Sequence, residues 1–323
     1  MMLSYLAIII GFVLLVWGAD KFVEGASATA ANLGVSPLII GLTIVGFGTS
    51  APEMLVSLMA ALNGNPTLAV GNAIGSNITN IGLVLGVTAL IVPLSVKSVT
   101  LKREYPIMFV IMLIVWYLIF DNNLNQMDGW LLVILMFLTL GLITYLGFKD
   151  QKGPKDPIIK EFENEIPQGM SMSQAIFWLM LGMAILLFSS KILVWGAVNI
   201  AQEFGVSDLV IGLTIIAIGT SLPELAASIA GALKGEHDIV IGNIIGSNIF
   251  NLLGVLGIPA IVAPIAELPE TVLSRDYLLM IALSVALFFV AFGFNGKGTI
   301  KRYEGLLLLA SYIFYMISIF FSI

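Results

Sequence analysis

The chain has 323 residues, of which 59% are hydrophobic and only 11% charged, with a net charge of −6 and no cysteine. A soluble domain carries about 25% charged residues, so this chain cannot cover a solvated surface, and a soluble enzyme, a nucleic-acid binder and a disordered chain are excluded. What fits is a polytopic membrane protein with no disulfide and no thiolate metal centre, the bilayer supplying the apolar surroundings.

The first basic residue, Lys21, follows the apolar run Leu3 to Trp17 instead of preceding it. A signal peptide begins with its basic residues, so the run is expected to open a retained helix. About 20 apolar residues cross the hydrocarbon core as a helix. Ten such segments are predicted in chain order: 3–32, 37–62, 67–92, 104–120, 129–147, 173–203, 207–233, 239–262, 276–294 and 304–322. The predicted fold class is therefore an all-α polytopic membrane protein with ten transmembrane helices. Gly and Pro in mid-segment predict broken or bent spans. The one long polar stretch, 148–172, carries Gly153, Pro154, Pro157 and Pro167 and reads as a linker loop. It separates a first five-helix repeat, 1–147, from a second, 173–323.

The halves are copies of one another. Gly34-Val-Ser-Pro-Leu-Ile-Ile-Gly-Leu-Thr-Ile recurs 171 residues later as Gly205-Val-Ser-Asp-Leu-Val-Ile-Gly-Leu-Thr-Ile. At the same offset Gly48-Thr-Ser-Ala-Pro-Glu53 recurs as Gly219-Thr-Ser-Leu-Pro-Glu224, and Gly71-Asn-Ala-Ile-Gly-Ser-Asn-Ile-Thr-Asn80 as Gly242-Asn-Ile-Ile-Gly-Ser-Asn-Ile-Phe-Asn251. Chance similarity of apolar helices would match Leu with Ile, not Thr, Ser, Pro, Glu and Asn in register. The repeated motifs span 37–92 and 207–263. An odd number of helices per copy turns the second copy over, and inverted repeats are the architecture of alternating-access transporters. With the N-terminus outside, 11 of the 14 basic residues fall at inside connections: Lys97, Lys102, Arg103, Lys149, Lys152, Lys155, Lys160, Lys234, Lys297, Lys301 and Arg302. The positive-inside rule then places both termini outside and the central loop in the cytoplasm.

Glu53 falls near the bilayer centre in the second segment and Glu224 at the equivalent depth in the seventh. Inserting a carboxylate there costs about 2.5–3.5 kcal/mol even on lenient scales, so two at matching positions call for a role. Gly48 and Pro52, like Gly219 and Pro223, disrupt the helix and free carbonyl oxygens. Thr49, Ser50, Thr220 and Ser221 add hydroxyls beside the carboxylates. A purely structural reading exists: Ser50-x-x-Glu53 and Ser221-x-x-Glu224 have capping-box spacing. The third and eighth segments bring Ser76 and Asn80, four apart on one face, repeated as Ser247 and Asn251. Asn72, Asn77, Asn243 and Asn248 are further polar groups suited to interhelical hydrogen bonds, and the Gly71/Gly75 and Gly242/Gly246 pairs suit close helix packing. The only histidine, His237, is predicted in a loop. Two carboxylates, hydroxyls and amide oxygens make an all-oxygen site of charge −2, suited to a hard cation such as Ca²⁺ or Na⁺. Emptying it would leave two carboxylates unpaired at low dielectric, which predicts obligatory exchange.

The paired Gly-Thr-Ser-x-Pro-Glu and Gly-Asn-x-Ile-Gly-Ser-Asn-Ile motifs resemble the two alpha repeats of the sodium/calcium exchanger family, in the cation/calcium antiporter superfamily, and its compact prokaryotic branch in particular. The resemblance implies that Glu53 and Glu224 are shared Ca²⁺ and Na⁺ ligands, that Thr49, Ser50, Thr220 and Ser221 line the site, and that Ser76, Ser247, Asn80 and Asn251 complete it. The backbone carbonyls of Gly46 and Ala217 match positions used for Na⁺. It also implies that the first and sixth helices, 3–32 and 173–203, slide past the other eight. Some members carry Asp at a position matching Asn80 or Asn251; the Asn pair here disfavours K⁺ co-transport and leaves proton exchange open, since two protons neutralise the site. Asp20, Lys21 and Glu24 cluster in the first helix, with Lys191 matching Asp20; they are expected to be a charged segment near the membrane surface or a local ion pair, with an electrostatic element of the sliding bundle as the alternative. The expected function is Ca²⁺/Na⁺ antiport, with H⁺/Ca²⁺ antiport and a gated cation channel as alternatives. The expected partners are Ca²⁺ and Na⁺ (or H⁺) as substrates and the lipid bilayer, with no nucleic acid, no cofactor and no catalytic residue, in a monomer of a prokaryotic cell membrane.

Overall fold

A computed structural model describes residues 2–64, 66–96, 102–150, 170–204, 217–292 and 298–322. In chain order the helices are α1 (Met2–Leu33), α2 (Pro37–Thr49), α3 (Ala51–Leu62), α4 (Pro66–Ile91), α5 (Glu104–Leu118), α6 (Gln126–Asp150), α7 (Met172–Glu203), α8 (Ala217–Thr220), α9 (Leu222–Leu233), α10 (His237–Val262), α11 (Val272–Ala291) and α12 (Arg302–Ser322). Helices thus occupy all ten apolar segments. Among the described residues, six helices are long and apolar enough to cross a membrane, or seven if α2 and α3 form one broken span. The start of the seventh segment, residues 207–216, and the core of the linker, residues 151–169, lie outside the described residues, as do Lys97, Lys152, Lys155, Lys160 and Lys297. The all-α expectation needs one correction. Leu94–Val96 (β1) pairs antiparallel with Gly298–Ile300 (β2), Leu94 opposite Ile300. A chain leaving a helix at Pro93 cannot continue that helix, and a short ribbon satisfies its backbone instead.

Local chemistry sets the helix ends. Gly34 has φ +68°, its N–H bonds the Ala31 carbonyl, and Val35 N–H bonds the Ala30 carbonyl. This is a left-handed glycine stop, and Pro37 then opens α2 at a position where its missing N–H costs nothing. Gly235 repeats the stop at the end of α9, with φ +78° and Glu236 N–H on the Gly231 carbonyl. Inside α2, α4, α10 and α11 the helix widens to π geometry over Gly41–Val45, Asn80–Leu85, Asn251–Val255 and Val272–Tyr277. Such widenings are rare and concentrate at functional sites.

The chain divides into two compact units, each drawing on both sequence copies. The first holds residues 1–49 and 144–243, the second 50–143 and 244–323. In the first unit α1 and α7 run antiparallel in backbone contact. A Cβ on Gly25 would stand 2.3 Å from the Leu179 nitrogen, and one on Gly182 2.4 Å from that of Phe22. Phe22, Val23, Ala26, Val45, Leu186 and Ala227 form part of its core. The outward faces of these helices carry Ile9, Phe12, Phe177 and Phe188, all exposed, as a lipid-facing surface requires.

In the second unit the same contacts occur at equivalent positions of the two copies. The Tyr105 hydroxyl donates to the Ser284 carbonyl at 2.5 Å, and the Tyr277 hydroxyl to that of Met112 at 2.6 Å. Gly86 lies against Gly305, and Gly257 against Gly129. The β1–β2 ladder has a one-bridge counterpart, Leu124 with Ile265.

Candidate cation site

The twelve residues expected to bind cations fall six in each unit. In the second unit, Ser50 stands at the N-cap of α3 with φ −81° and ψ 0°, and its side chain makes no capping bond. The capping-box reading therefore fails at the serine. Pro52 sits in the first turn of α3, followed by Glu53, which is 1% exposed. A helix N-terminus favours a carboxylate through its free N–H groups and its dipole, which offsets part of the burial cost. Asn72 of α4 donates to the Glu53 carbonyl at 3.1 Å and to the Ser57 hydroxyl at 2.9 Å, tying the restarted helix to α4. The Ser76 hydroxyl points at Asn72 Oδ1. Ser247 is fully buried on α10.

Asn80 and Asn251 each begin a π turn and are 1% exposed. Asn80 Nδ2 donates to Asn248 Oδ1, and Asn251 Nδ2 donates to Asn77 Oδ1, both at 3.1 Å. Asn77 Nδ2 donates in turn to the Asn248 main-chain carbonyl at 3.3 Å. The Oδ1 atoms of Asn80 and Asn251 are buried with no hydrogen-bond partner among the described residues. Buried amide oxygens are rarely left so.

The first unit holds the matching set. Thr49 Oγ1 donates to Asn243 Oδ1 at 3.0 Å, and Asn243 Nδ2 to the Ser228 hydroxyl at 3.3 Å. Ser221 is the N-cap of α9 with φ −89° and ψ 5°; it too makes no capping bond, and its hydroxyl is buried without a partner among the described residues. Glu224, in the first turn of α9, is 1% exposed. Thr220 ends α8, which Ala217 begins, and Gly46 is buried in α2. Pro223 cannot donate to the Gly219 carbonyl; the Ser190 hydroxyl of α7 does so instead at 2.7 Å.

Three expectations change here. His237 is the first residue of α10 and half-buried, not in a loop. Close packing at the paired glycines holds for Gly242, whose Cβ would stand 2.6 Å from the Leu38 carbonyl, but Gly71 and Gly75 have open space. The charged cluster of α1 extends beyond its own helix. Lys21 pairs with Glu24 at 2.7 Å and lies over the Trp178 ring, Asp20 pairs with Lys234 at 2.8 Å, and Ser27 bonds Glu236. Sequence reasoning missed Ser57, Ser228 and Ser190. The first two recur at the 171-residue offset and could have been found that way; Ser190 could not, because Ala19 stands at the equivalent position.

The family model described as sodium/calcium exchanger protein matches residues 3–145 and 174–321. The chain belongs to this family. It is 49% identical over the full length of both chains to a putative antiporter, CaxA, of Alkalimonas amylolytica. It is 32% identical to the sodium/calcium exchanger MaX1 of Methanosarcina acetivorans, over 98% of this chain and 99% of that one. A solved structure of the sodium-calcium exchanger NCX_Mj, soaked with Na⁺ and Ca²⁺, superposes with a TM-score of 0.84 at 32% identity, covering 98% of this chain and 99% of that chain. The protein is thus a mostly helical, polytopic membrane protein of a cation/Ca²⁺ antiporter family, whose members are transporters and not enzymes.

Proposed function

We propose that the protein exchanges Ca²⁺ for Na⁺ across a prokaryotic cell membrane by alternating access. The observation that carries this reading is a Gly-Thr-Ser-x-Pro-Glu element present twice, each time with a carboxylate 1% exposed at the start of a helix whose serine is not spent on capping. Glu53 and Glu224 supply a charge of −2 that balances one Ca²⁺. Thr49, Ser50, Thr220, Ser221, Ser76, Ser247, Asn80 and Asn251 contribute neutral oxygens, and the carbonyls of Gly46 and Ala217 serve Na⁺. Oxygen ligands of this number suit a hard cation.

Obligatory exchange follows from electrostatics. A carrier that changes state with both carboxylates empty must bury two uncompensated charges. Only a loaded carrier crosses readily, so Ca²⁺ moves one way when other cations move the other. The proposed frame is ten crossings in two five-helix copies of opposite orientation, with both termini outside and the linker loop in the cytoplasm. The recurrence of tyrosine and glycine contacts at equivalent positions of the two copies supports this frame. The reading requires no resident cofactor, no nucleic acid and no second copy of the chain.

Proton/Ca²⁺ exchange is the second reading, favoured by the charge of −2, which two protons neutralise and three Na⁺ exceed. The likeness to the sodium/calcium exchangers MaX1 and NCX_Mj favours Na⁺. The deciding experiment is ⁴⁵Ca²⁺ uptake into proteoliposomes with Na⁺ and pH gradients imposed separately. Uptake driven by outward Na⁺ at constant pH is expected; uptake driven by the pH gradient alone overturns the Na⁺ assignment. Saturation and dependence on a counter-ion separate either exchanger from a channel.

A further inference from the structure

We infer that Asn77 and Asn248 are positioning residues that fix the amide orientation of Asn251 and Asn80, turning an oxygen of each toward the transported cation. The inference rests on the reading above, in which Asn80 and Asn251 are cation ligands.

An asparagine amide has one oxygen, which accepts, and one nitrogen, which only donates. The two faces differ little in shape, so packing alone does not choose between them; the hydrogen-bond network does. For a cation the difference is decisive, since the oxygen attracts it and the NH₂ group repels it. The network here has a fixed starting point. Asn77 Nδ2 points at the main-chain carbonyl of Asn248, 3.3 Å away. A carbonyl can only accept, so Asn77 cannot be flipped. Its Oδ1 must then face Asn251, whose Nδ2 donates to it at 3.1 Å. That bond uses the nitrogen of Asn251 and leaves its oxygen aimed elsewhere, buried and without a partner among the described residues.

The other copy reaches the same result. Asn80 Nδ2 donates to Asn248 Oδ1 at 3.1 Å, and the Asn80 oxygen is left in the same buried, unpartnered condition. Methionine sulfurs of two helices lie on the outer nitrogens: Met280 at 3.4 Å from Asn77 Nδ2 and Met108 at 3.9 Å from Asn248 Nδ2. Sulfur is a weak acceptor, and this again favours nitrogen on that side. Interhelical glue alone does not account for the pattern. Glue would consume both ends of each amide, whereas here both nitrogens of Asn80 and Asn251 are held and both oxygens are spared.

The test is Ca²⁺-dependent ⁴⁵Ca²⁺ uptake in proteoliposomes driven by Na⁺, with KM and maximal flux measured separately. Asn77→Ala removes the acceptor that holds Asn251 and is expected to raise the Ca²⁺ KM about tenfold with little change in maximal flux. In an Asn251→Ala background the same substitution should add nothing. An equal Asn77→Ala effect with and without Asn251 overturns the inference. If Asn77→Ala does not fold, Asn248→Ala compared with and without Asn80→Ala carries the same test. An Asn251→Ala variant with unchanged KM overturns the ligand reading itself, and the inference with it.

Discussion

In the first unit α1 and α7 meet through glycines; in the second, α4 meets the later part of α10 through asparagines. Gly11, Gly18, Gly25, Gly182 and Gly196 bring the α1 and α7 backbones together with no side-chain hydrogen bond in the described contacts between them. Asn77, Asn80, Asn248 and Asn251 instead tie their helices through directional amide hydrogen bonds. A contact made of small apolar surfaces is non-directional and loses little when one surface shifts along the other. An amide network is directional: a displacement of an ångström breaks it and leaves buried groups unsatisfied. The contrast separates a non-directional packing seam between α1 and α7 from a directionally fixed geometry at the asparagines.

The comparison can be broken most severely at the carboxylates, one in each unit. Glu53→Gln and Glu224→Gln are each expected to abolish Na⁺-driven ⁴⁵Ca²⁺ uptake while the purified protein stays folded by size-exclusion chromatography. Wild-type flux in either variant removes that residue from the site. The glycine seam comes next. Gly25→Leu or Gly182→Leu places a Cβ only 2.3 Å or 2.4 Å from a backbone nitrogen of the facing helix. Overpacking of this kind costs about 1–3 kcal/mol or more, so a clear drop in the thermal midpoint in detergent is expected. Gly71→Ala, with open space around it, should leave the midpoint unchanged, and an equal loss from all three would show that the seam is not special.

Smaller effects test features that only one copy carries. Ser190→Ala removes the donor to the Gly219 carbonyl, and a lost buried hydrogen bond costs about 1 kcal/mol. A modest fall in thermal midpoint is expected, together with altered maximal flux if that bond breaks and re-forms during transport. An unchanged midpoint would show that the carbonyl finds another donor. The smallest effect is expected from Asp20→Asn. Its partner Lys234 and Asp20 itself are 30% and 46% exposed, and exposed pairs contribute about 0–1 kcal/mol. The change should be slight and should vanish at high salt.

Much of the helical layout was legible in the sequence, because apolar run length, left-handed glycines and prolines act locally. Gly34 and Gly235 stop their helices by backbone conformation alone, and the break at Ser50 follows from Pro52 two residues on. The doubled Glu, Ser and Asn positions were legible for a different reason: a repeat at a constant offset exposes polar residues that apolar helices would not share. The β1–β2 ribbon was not, since three residues per strand carry no readable period. Neither was the difference between Gly242, which is packed, and Gly71, which is not, although the motif around each is the same.

The sequence by itself determined the membrane class, the doubled motifs and the burial-prone carboxylates, because composition and register are properties of the chain. Only the tertiary structure decided which amide nitrogen meets which oxygen, that Ser190 takes the carbonyl freed by Pro223, and that Asp20 reaches Lys234. Those pairings join residues far apart in the chain, and their geometry depends on how helices cross. Crossing is set by the packing of whole helix faces, which no local pattern of residues encodes.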